Sequence, residues 1–213
     1  MKRYLNKRNL TRARNDLKDT NEKSIEIRNS DIKSILKVWS KLQKNKINKY
    51  DEFYNVCLYS SIVTRDISML WNDYSLTDNE TKKNLYGRLL SMTIIEFLDD
   101  INGLLGRNLR IELESNNMSE FISELNDVNK KFSTVKKQNN KELRLIRNNS
   151  AAHKSKKAKD LINFTENIHF ENLHKISVEV SEANIQLNKL TTEVIYKINE
   201  RINIEHLRKK VIQ

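Results

Sequence analysis

Proline is absent from all 213 residues of the chain, and glycine occurs only at Gly87, Gly103 and Gly106. Sandwiches, barrels and glycine-loop nucleotide-binding folds need the turns that these two residue types supply. Their scarcity excludes the Walker A and dinucleotide-binding fingerprints. We therefore predict an all-α protein in which asparagine takes over the turn positions.

Apolar residues recur at helical spacing in three successive stretches of the first half. We predict a first helix with Ser30 as its N-cap and a second helix over about 51–74. A third helix is predicted over about 79–105, capped by Thr77 or Asp78. Because its apolar residues cover two faces, we expect the third helix to lie at the centre of the fold.

Two more helices follow in the second half. A fourth helix starts near Ser119, and the polar run 138–140 is placed to break or bend it before its apolar stripe resumes at Leu143. The last helix carries a heptad ladder of Leu173, Ile176, Val180, Ala183, Leu187, Leu190 and Val194. Together these elements predict an up-and-down bundle of about five helices with a long C-terminal helix.

Two short segments account for the whole net charge of +11. Residues 1–28 hold 9 Lys and Arg against 4 Asp and Glu, and residues 136–159 hold 9 against 1. We therefore divide the chain into 1–28, a basic N-terminal arm or marginal helix, and a helical bundle, 29–213. A localised basic surface is typical of nucleic-acid binding, although a solvated loop or an acidic protein partner would show the same charge.

Several observations bear on where the protein works. Cys57 is the single cysteine, so an internal disulfide is impossible, and we expect a buried thiol. The charged N-terminus has no apolar segment of a signal peptide. The longest apolar stretch, 89–98, is too short to span a bilayer and contains Glu96. We expect a cytoplasmic protein with no membrane partner.

The acidic and histidine residues form no familiar catalytic or metal motif. Glu96 and Asp99 share one helix face, where they could act as an acid–base pair or a metal corner, or simply be solvated or salt-bridged. No HExxH arrangement occurs, and we expect His169 and His174 to be structural or exposed. We predict neither a metal site nor a cofactor.

The most informative stretch is 143–154, in which an apolar helix ends in Arg147-Asn148 and a short link leads to His153. Cleavage of RNA by its own 2′-hydroxyl needs a base for that proton, an acid for the 5′-oxygen and a cation for the phosphate oxygens. Histidine titrates in the required range, and arginine offers forked donors to phosphate. The stretch therefore holds the residue types that such a reaction needs, and the reaction itself requires no metal.

A helical bundle with Arg-Asn-x-x-x-Ala-His late in the chain resembles the HEPN superfamily, whose ribonuclease members share an Arg-(4 to 6 residues)-His motif. The resemblance covers about 29–205 in architecture and 147–154 in motif. It implies a homodimer with facing motifs and metal-independent RNA cleavage. Many members are toxins or abortive-infection effectors in phage defence, so an antitoxin or defence-complex partner is also implied.

Carried over by residue, Arg147 would stabilise the phosphate charge and His153 would act as general base or acid. Asn148 would hold the substrate or His153. Lysines and one arginine nearby would attract the RNA backbone: Lys141, Arg144, Lys154, Lys156 and Lys157. The tyrosine that follows the histidine in some toxins of the family is replaced here by Ser155.

Two alternatives accompany this interpretation. A second motif match joins Arg201 to His206, but no helix follows it to complete a bundle. A non-catalytic helical module that binds nucleic acid or a partner protein is the rival function. For the homodimer, the candidate contacts are the heptad ladder and the face of the third helix around Leu85, Leu89 and Met92.

Overall fold

The computed structural model describes residues 2–151, 157–159, 162, 165 and 170–211. Its α-helices are α1 Lys2–Lys44, α2 Asp51–Leu76, α3 Glu80–Leu104, α4 Arg107–Ser115, α5 Ile122–Ile146 and α6 Phe170–Val211. A 3-10 turn, Ser119–Phe121, precedes α5, and a π-helical turn, Arg147–Ala151, follows it.

The predicted all-α bundle with a long C-terminal helix is confirmed. Five helices are long, α4 is short, and the described residues contain no strand. Helix α1 packs on α2, α2 on α3, α3 on α5 and α5 on α6. This packing of each long helix against the next is the up-and-down pattern, and α6 closes the bundle by also contacting α2 and α3.

Helix α3 lies at the centre, as its two apolar faces predicted. It contacts α2, α4, α5 and α6. Its stripe is completely inaccessible to solvent: Leu90, Ile94, Phe97, Leu98 and Ile101. The ring of Phe97 meets the ring of Phe132 of α5 edge to face, with centroids 5.5 Å apart. The charged residues of α3 therefore lie outside this buried stripe, whereas the buried Ser91 donates a hydrogen bond to the Gly87 carbonyl of its own helix at 2.8 Å.

The heptad ladder of α6 is buried within the chain's own core. Each of its seven residues is at most 3% exposed. The ladder is used to close the bundle against α2, α3 and α5. It is therefore unavailable as a surface for a second copy, and the sequence-based suggestion that it forms a dimer contact is wrong. Of the other suggested face, Leu85 is exposed and Leu89 and Met92 are half-buried.

Helix α1 does not begin at Ser30 as predicted, because it runs without interruption from Lys2. Its apolar stripe starts a further two turns back, at the half-buried Ile25, seven residues before Ile32. Ile25 lies in a cleft against α2 and α6, and Arg14 forms an ion pair with Asp78 after α2. These tertiary contacts extend the helix beyond its local start signal. Residues 2–28 are thus helical, which was one of the two alternatives for this segment, and a separate role for 1–28 as a basic arm stays a prediction.

Asparagine does take over turn positions in this chain. The Oδ1 of Asn79 accepts a hydrogen bond from the backbone N–H of Lys82 at 2.9 Å, so Asn79 caps α3 in place of Thr77 or Asp78. Asn117, between α4 and α5, has a φ of 52°. Asparagine tolerates this left-handed conformation better than most residues with a side chain.

Helix α5 continues through 138–140 without a break, contrary to one of the two outcomes expected there. The amide of Asn139 donates back to the Val135 carbonyl at 2.9 Å, so this polar side chain is satisfied within the helix. Helix α4 was not predicted, because its nine residues are charge-rich and bury only Leu109 and Leu113.

Candidate functional site

The candidate site lies where α5 ends. The α-helix stops at Ile146, and the backbone passes into the π-helical turn that begins with Arg147 and Asn148. Single π-helical turns are uncommon and occur often at functional sites, because the wider turn redirects side chains that a regular helix would stack. This turn is the start of the predicted catalytic stretch.

Arg147 and Asn148 are neighbours in sequence, and their side chains are hydrogen-bonded to each other at this turn. The Nη1 of Arg147 donates to the Oδ1 of Asn148 at 3.2 Å. The Nε of Arg147 lies 3.3 Å from the Oε1 of Glu96 on α3. The guanidinium is thus held at two of its three nitrogens, and the Arg147 side chain as a whole is 28% exposed. Such a fixed, partly open fork is suited to a phosphate group.

Asp99 of α3 binds two cations of α5, Arg144 and Lys136. The Nη2 of Arg144 lies 2.7 and 2.8 Å from the two carboxylate oxygens, and the Nζ of Lys136 lies 2.9 Å from one of them. Arg144 also donates from Nε to the Oδ1 of Asn140 at 2.7 Å. Arg144 is therefore fixed by two partners, Asp99 and Asn140.

Partial burial raises the pKa of the Asp99 carboxyl, but Lys136 and Arg144 lower it by more, so the net shift is downward. The carboxylate is therefore ionised at neutral pH and is a poor general acid. Its role is to hold the cationic side chains of Lys136 and Arg144 in place.

These contacts form one continuous polar strip between α3 and α5, which we call the ionic seam. It consists of Glu96, Asp99, Lys136, Asn140, Arg144 and Arg147. Of the alternatives open for Glu96 and Asp99, the salt-bridged arrangement is the one found. Throughout the part of the chain that is described, no three His, Cys, Asp or Glu side chains are grouped as a metal site would require.

The remaining predicted site residues divide into two groups. Lys141 on α5 and Lys157 are exposed. His153, Lys154 and Lys156 lie outside the described residues. The proposed roles of all these residues in catalysis and RNA binding stay predictions.

The histidines and the second motif match have other surroundings. His174 stacks on Trp71 of α2 with ring centroids 4.9 Å apart, whereas His169 lies outside the described residues. Arg201 donates to the backbone carbonyls of Asn116 and Asn117, the latter at 2.7 Å. Arg201 therefore ties α6 to the turn after α4, which supports leaving it out of the candidate site.

Lys136 and Asn140 are two residues of the seam that were not among the predicted site residues. A signal for them existed, because 136, 140, 144 and 147 follow the i, i+4, i+8, i+11 spacing of one helix face. The same holds for Glu96 and Asp99 on α3. Two complementary polar stripes, each beside the buried apolar stripe of its helix, predict a paired seam once the helices are known to be neighbours.

Comparison with known proteins gave no match to a family model, to a curated protein or to a solved structure. None of the described helices is long and apolar enough to cross a membrane.

Proposed function

We propose that the chain is a metal-independent RNA endonuclease of the HEPN type that acts as a toxin or phage-defence effector. The observation that carries the proposal is the position of Arg147 at the end of α5, where its guanidinium contacts the side chains of both Asn148 and Glu96. The chain continues from this point through five intervening residues to His153. A forked cation, an amide and an imidazole are the groups that the reaction needs.

In the proposed reaction the RNA 2′-oxygen attacks the adjacent phosphorus and the bond from phosphorus to the 5′-oxygen breaks. His153 removes the 2′-proton or delivers a proton to the leaving 5′-oxygen. Arg147 stabilises the negative charge that accumulates on the phosphate oxygens. Asn148 holds the substrate or His153 in position.

The contact with Glu96 supports this role for Arg147. Glu96 and Asn148 engage Nε and Nη1, so the guanidinium is oriented before any substrate arrives. A donor that is already oriented costs little reorganisation when charge develops in the transition state. Asp99 does the same for Arg144 one turn earlier, and it thereby keeps two neighbouring cations on one side of the helix end.

The active unit in this proposal is a homodimer. One chain supplies one motif histidine, but the reaction needs a proton removed at one oxygen and a proton delivered at another. A two-fold interface would bring a second Arg147 and His153 to the same groove. Because the α6 ladder is buried, the face of α3 around the exposed Leu85 is the contact that we propose.

RNA, and in the cell an antitoxin or defence-complex protein, are the proposed partners, and the cytoplasm is the proposed location. Lys141, Arg144, Lys154, Lys156 and Lys157 would attract the RNA backbone. Binding of this kind releases counterions, so the affinity should fall steeply with salt concentration.

A non-catalytic module that binds nucleic acid or a protein is the second candidate. The observation in its favour is that Arg144 and Arg147 both have carboxylate partners within the chain. In that case the seam would be structural, and loss of Arg147 would alter stability without any effect on RNA integrity.

Analysis of the cleaved ends separates the two candidates. Purified protein is incubated with total RNA in the presence of EDTA, and the products are analysed for their end groups. The ribonuclease proposal predicts a 2′,3′-cyclic phosphate and a 5′-hydroxyl. Intact RNA supports the non-catalytic module, whereas a 3′-hydroxyl with a 5′-phosphate would contradict the proposed chemistry.

A further inference from the structure

A cleft lies between α1, α2 and α6, and it shares no lining residue with the ionic seam. Its volume is about 440 Å³. This is within the range of roughly 300–1,000 Å³ that is typical of small-molecule sites. The cleft is therefore large enough for a compact metabolite and too small for a folded RNA.

Arg28 of α1 is the cation of this cleft. It is half-buried, and it makes no hydrogen bond or ion pair with any residue that the structure describes. Burial lowers the pKa of Arg28, against the opposing effect of Asp31 nearby. A guanidinium that has lost part of its hydration without gaining an acceptor is costly to the fold. An anionic ligand would supply the missing acceptor.

The other walls add hydrogen-bonding groups and one apolar surface. Asp31 is exposed one turn after Arg28, and Ser61 of α2 and Asn188 of α6 lie on the opposite sides. The side chains of Ser61 and Asn188 also have no hydrogen bond to another described residue. Ile35 and the buried Cys57 provide the apolar wall.

The chemistry of these walls selects a ligand class. Arginine binds phosphate through paired N–H donors, and a carboxylate accepts hydrogen bonds from ribose hydroxyls in dinucleotide-binding proteins. An apolar wall accommodates the face of a base. We propose that this cleft binds a ribonucleoside monophosphate, with its phosphate on Arg28, its ribose on Asp31 and its base against Ile35.

This proposal is independent of the proposed nuclease. Arg28, Asp31 and Asn188 lie on α1 and α6, whereas the candidate nuclease site is formed by α3, α5 and the π-helical turn. Loss of nuclease activity in an Arg147→Ala variant should leave nucleotide binding unchanged. Failure of either proposal can therefore be recognised without reference to the other.

The test is isothermal titration calorimetry of the full chain with each of the four nucleoside 5′-monophosphates, their deoxy forms and inorganic phosphate. We expect saturable binding of at least one ribonucleotide, weaker binding of its deoxy form and much weaker binding of phosphate. Arg28→Gln should weaken binding about 10- to 100-fold, since a hydrogen bond to a charged group contributes roughly 1.5–3 kcal/mol.

Matched variants make the assignment specific. Arg28→Lys keeps the charge without the fork and should give an intermediate affinity, whereas Asp31→Asn should reduce the preference for ribose over deoxyribose. Lys33→Gln, an exposed charge change on the same helix, should leave binding unchanged. Circular dichroism confirms that each variant is folded.

Three results would overturn the proposal. The first is the absence of saturable binding of any nucleotide at millimolar concentration. The second is equal affinity of wild type and Arg28→Gln. The third is inorganic phosphate binding as tightly as the best nucleotide, because the ribose and base would then contribute nothing.

Discussion

The ionic seam between α3 and α5 and the cleft between α1, α2 and α6 both contain arginine between helices, but only the arginines of the seam form ion pairs with carboxylates. Arg144 bonds to both oxygens of Asp99, and Arg147 lies 3.3 Å from Glu96. Arg28, in the cleft, has Asp31 nearby but no ion pair to a described residue.

The difference shows how one residue type can serve two purposes in one bundle. In the seam the cost of burying part of a guanidinium is offset inside the chain, so the arginine is oriented and the helices are joined. In the cleft this cost is not offset within the chain, so an anionic ligand that accepts hydrogen bonds from Arg28 would be bound favourably. The two regions should therefore respond in opposite ways when their arginines are replaced.

The largest effect is expected at Arg147. Arg147→Ala removes an oriented donor to the developing phosphate charge, and RNA cleavage should fall about 10²- to 10³-fold. The measurement is the initial rate of cleavage of a labelled RNA. Arg107→Ala, which removes an exposed arginine on α4, is the control and should cleave as wild type does. Equal rates for both variants would assign Arg147 to the structure alone.

The next effect is on stability, at Arg144. Arg144→Met leaves Asn140 without its partner and Asp99 with Lys136 alone. Because more than a third of the Arg144 side chain is exposed, water screens the ion pair, and we expect a loss of only about 1 kcal/mol in the free energy of unfolding. Urea unfolding measures it. No change would show that the seam adds nothing to the fold.

Glu112 of α4 extends the comparison to a partly buried carboxylate, whose partners are backbone amides rather than a cation. It accepts hydrogen bonds from the N–H groups of Glu52 and Phe53 at 2.8 Å each, at the start of α2. Desolvation nevertheless raises the pKa of Glu112 to about 7. The folded state thus favours the protonated acid, and this contribution is present below pH 4.5 and is lost as the pH rises through 7.

Thermal unfolding between pH 5 and pH 8 tests this shift. The Tm of the wild type should fall as the pH rises across that interval. Glu112→Gln, which cannot ionise and keeps an acceptor oxygen, should flatten the profile. A variant profile with the same slope as wild type would place the titrating group elsewhere.

The smallest effect, and one of opposite sign to that at Arg144, is expected for Arg28→Met. Methionine fills similar space without a charge to desolvate, so the free energy of unfolding should be unchanged or higher by up to about 1 kcal/mol. The same urea experiment compares the two variants directly. A clear loss of stability in Arg28→Met would mean that Arg28 has a stabilising partner after all.

Much of the fold was predictable because apolar residues recur with a strong helical period. The buried stripe of α3 and the α6 ladder are the clearest cases. The start of α1 was misplaced at Ser30, because a local cap signal was overridden by packing of Ile25 against α2 and α6. Helix α4 was missed, because nine charge-rich residues carry too little periodic signal.

The candidate site was predictable only in part. Arg147 and Asn148 are adjacent in sequence, so a local motif located them. The partners of Arg144 and Arg147 come from α3, 45 and 51 residues away, and only the packing of two helices shows which carboxylate meets which arginine. The Arg28 cleft had no sequence signal, since it arises where three distant helices meet.

The central claim is that the motif at the end of α5 cleaves RNA, and His153→Ala tests it most directly. Wild type and variant are compared with total RNA in EDTA, and their Tm values are measured in parallel. The account predicts that cleavage falls about 10²- to 10⁴-fold while the Tm is preserved, because a general acid–base group is lost. Full cleavage by the folded His153→Ala protein, with cleavage lost instead in His206→Ala, would contradict the account.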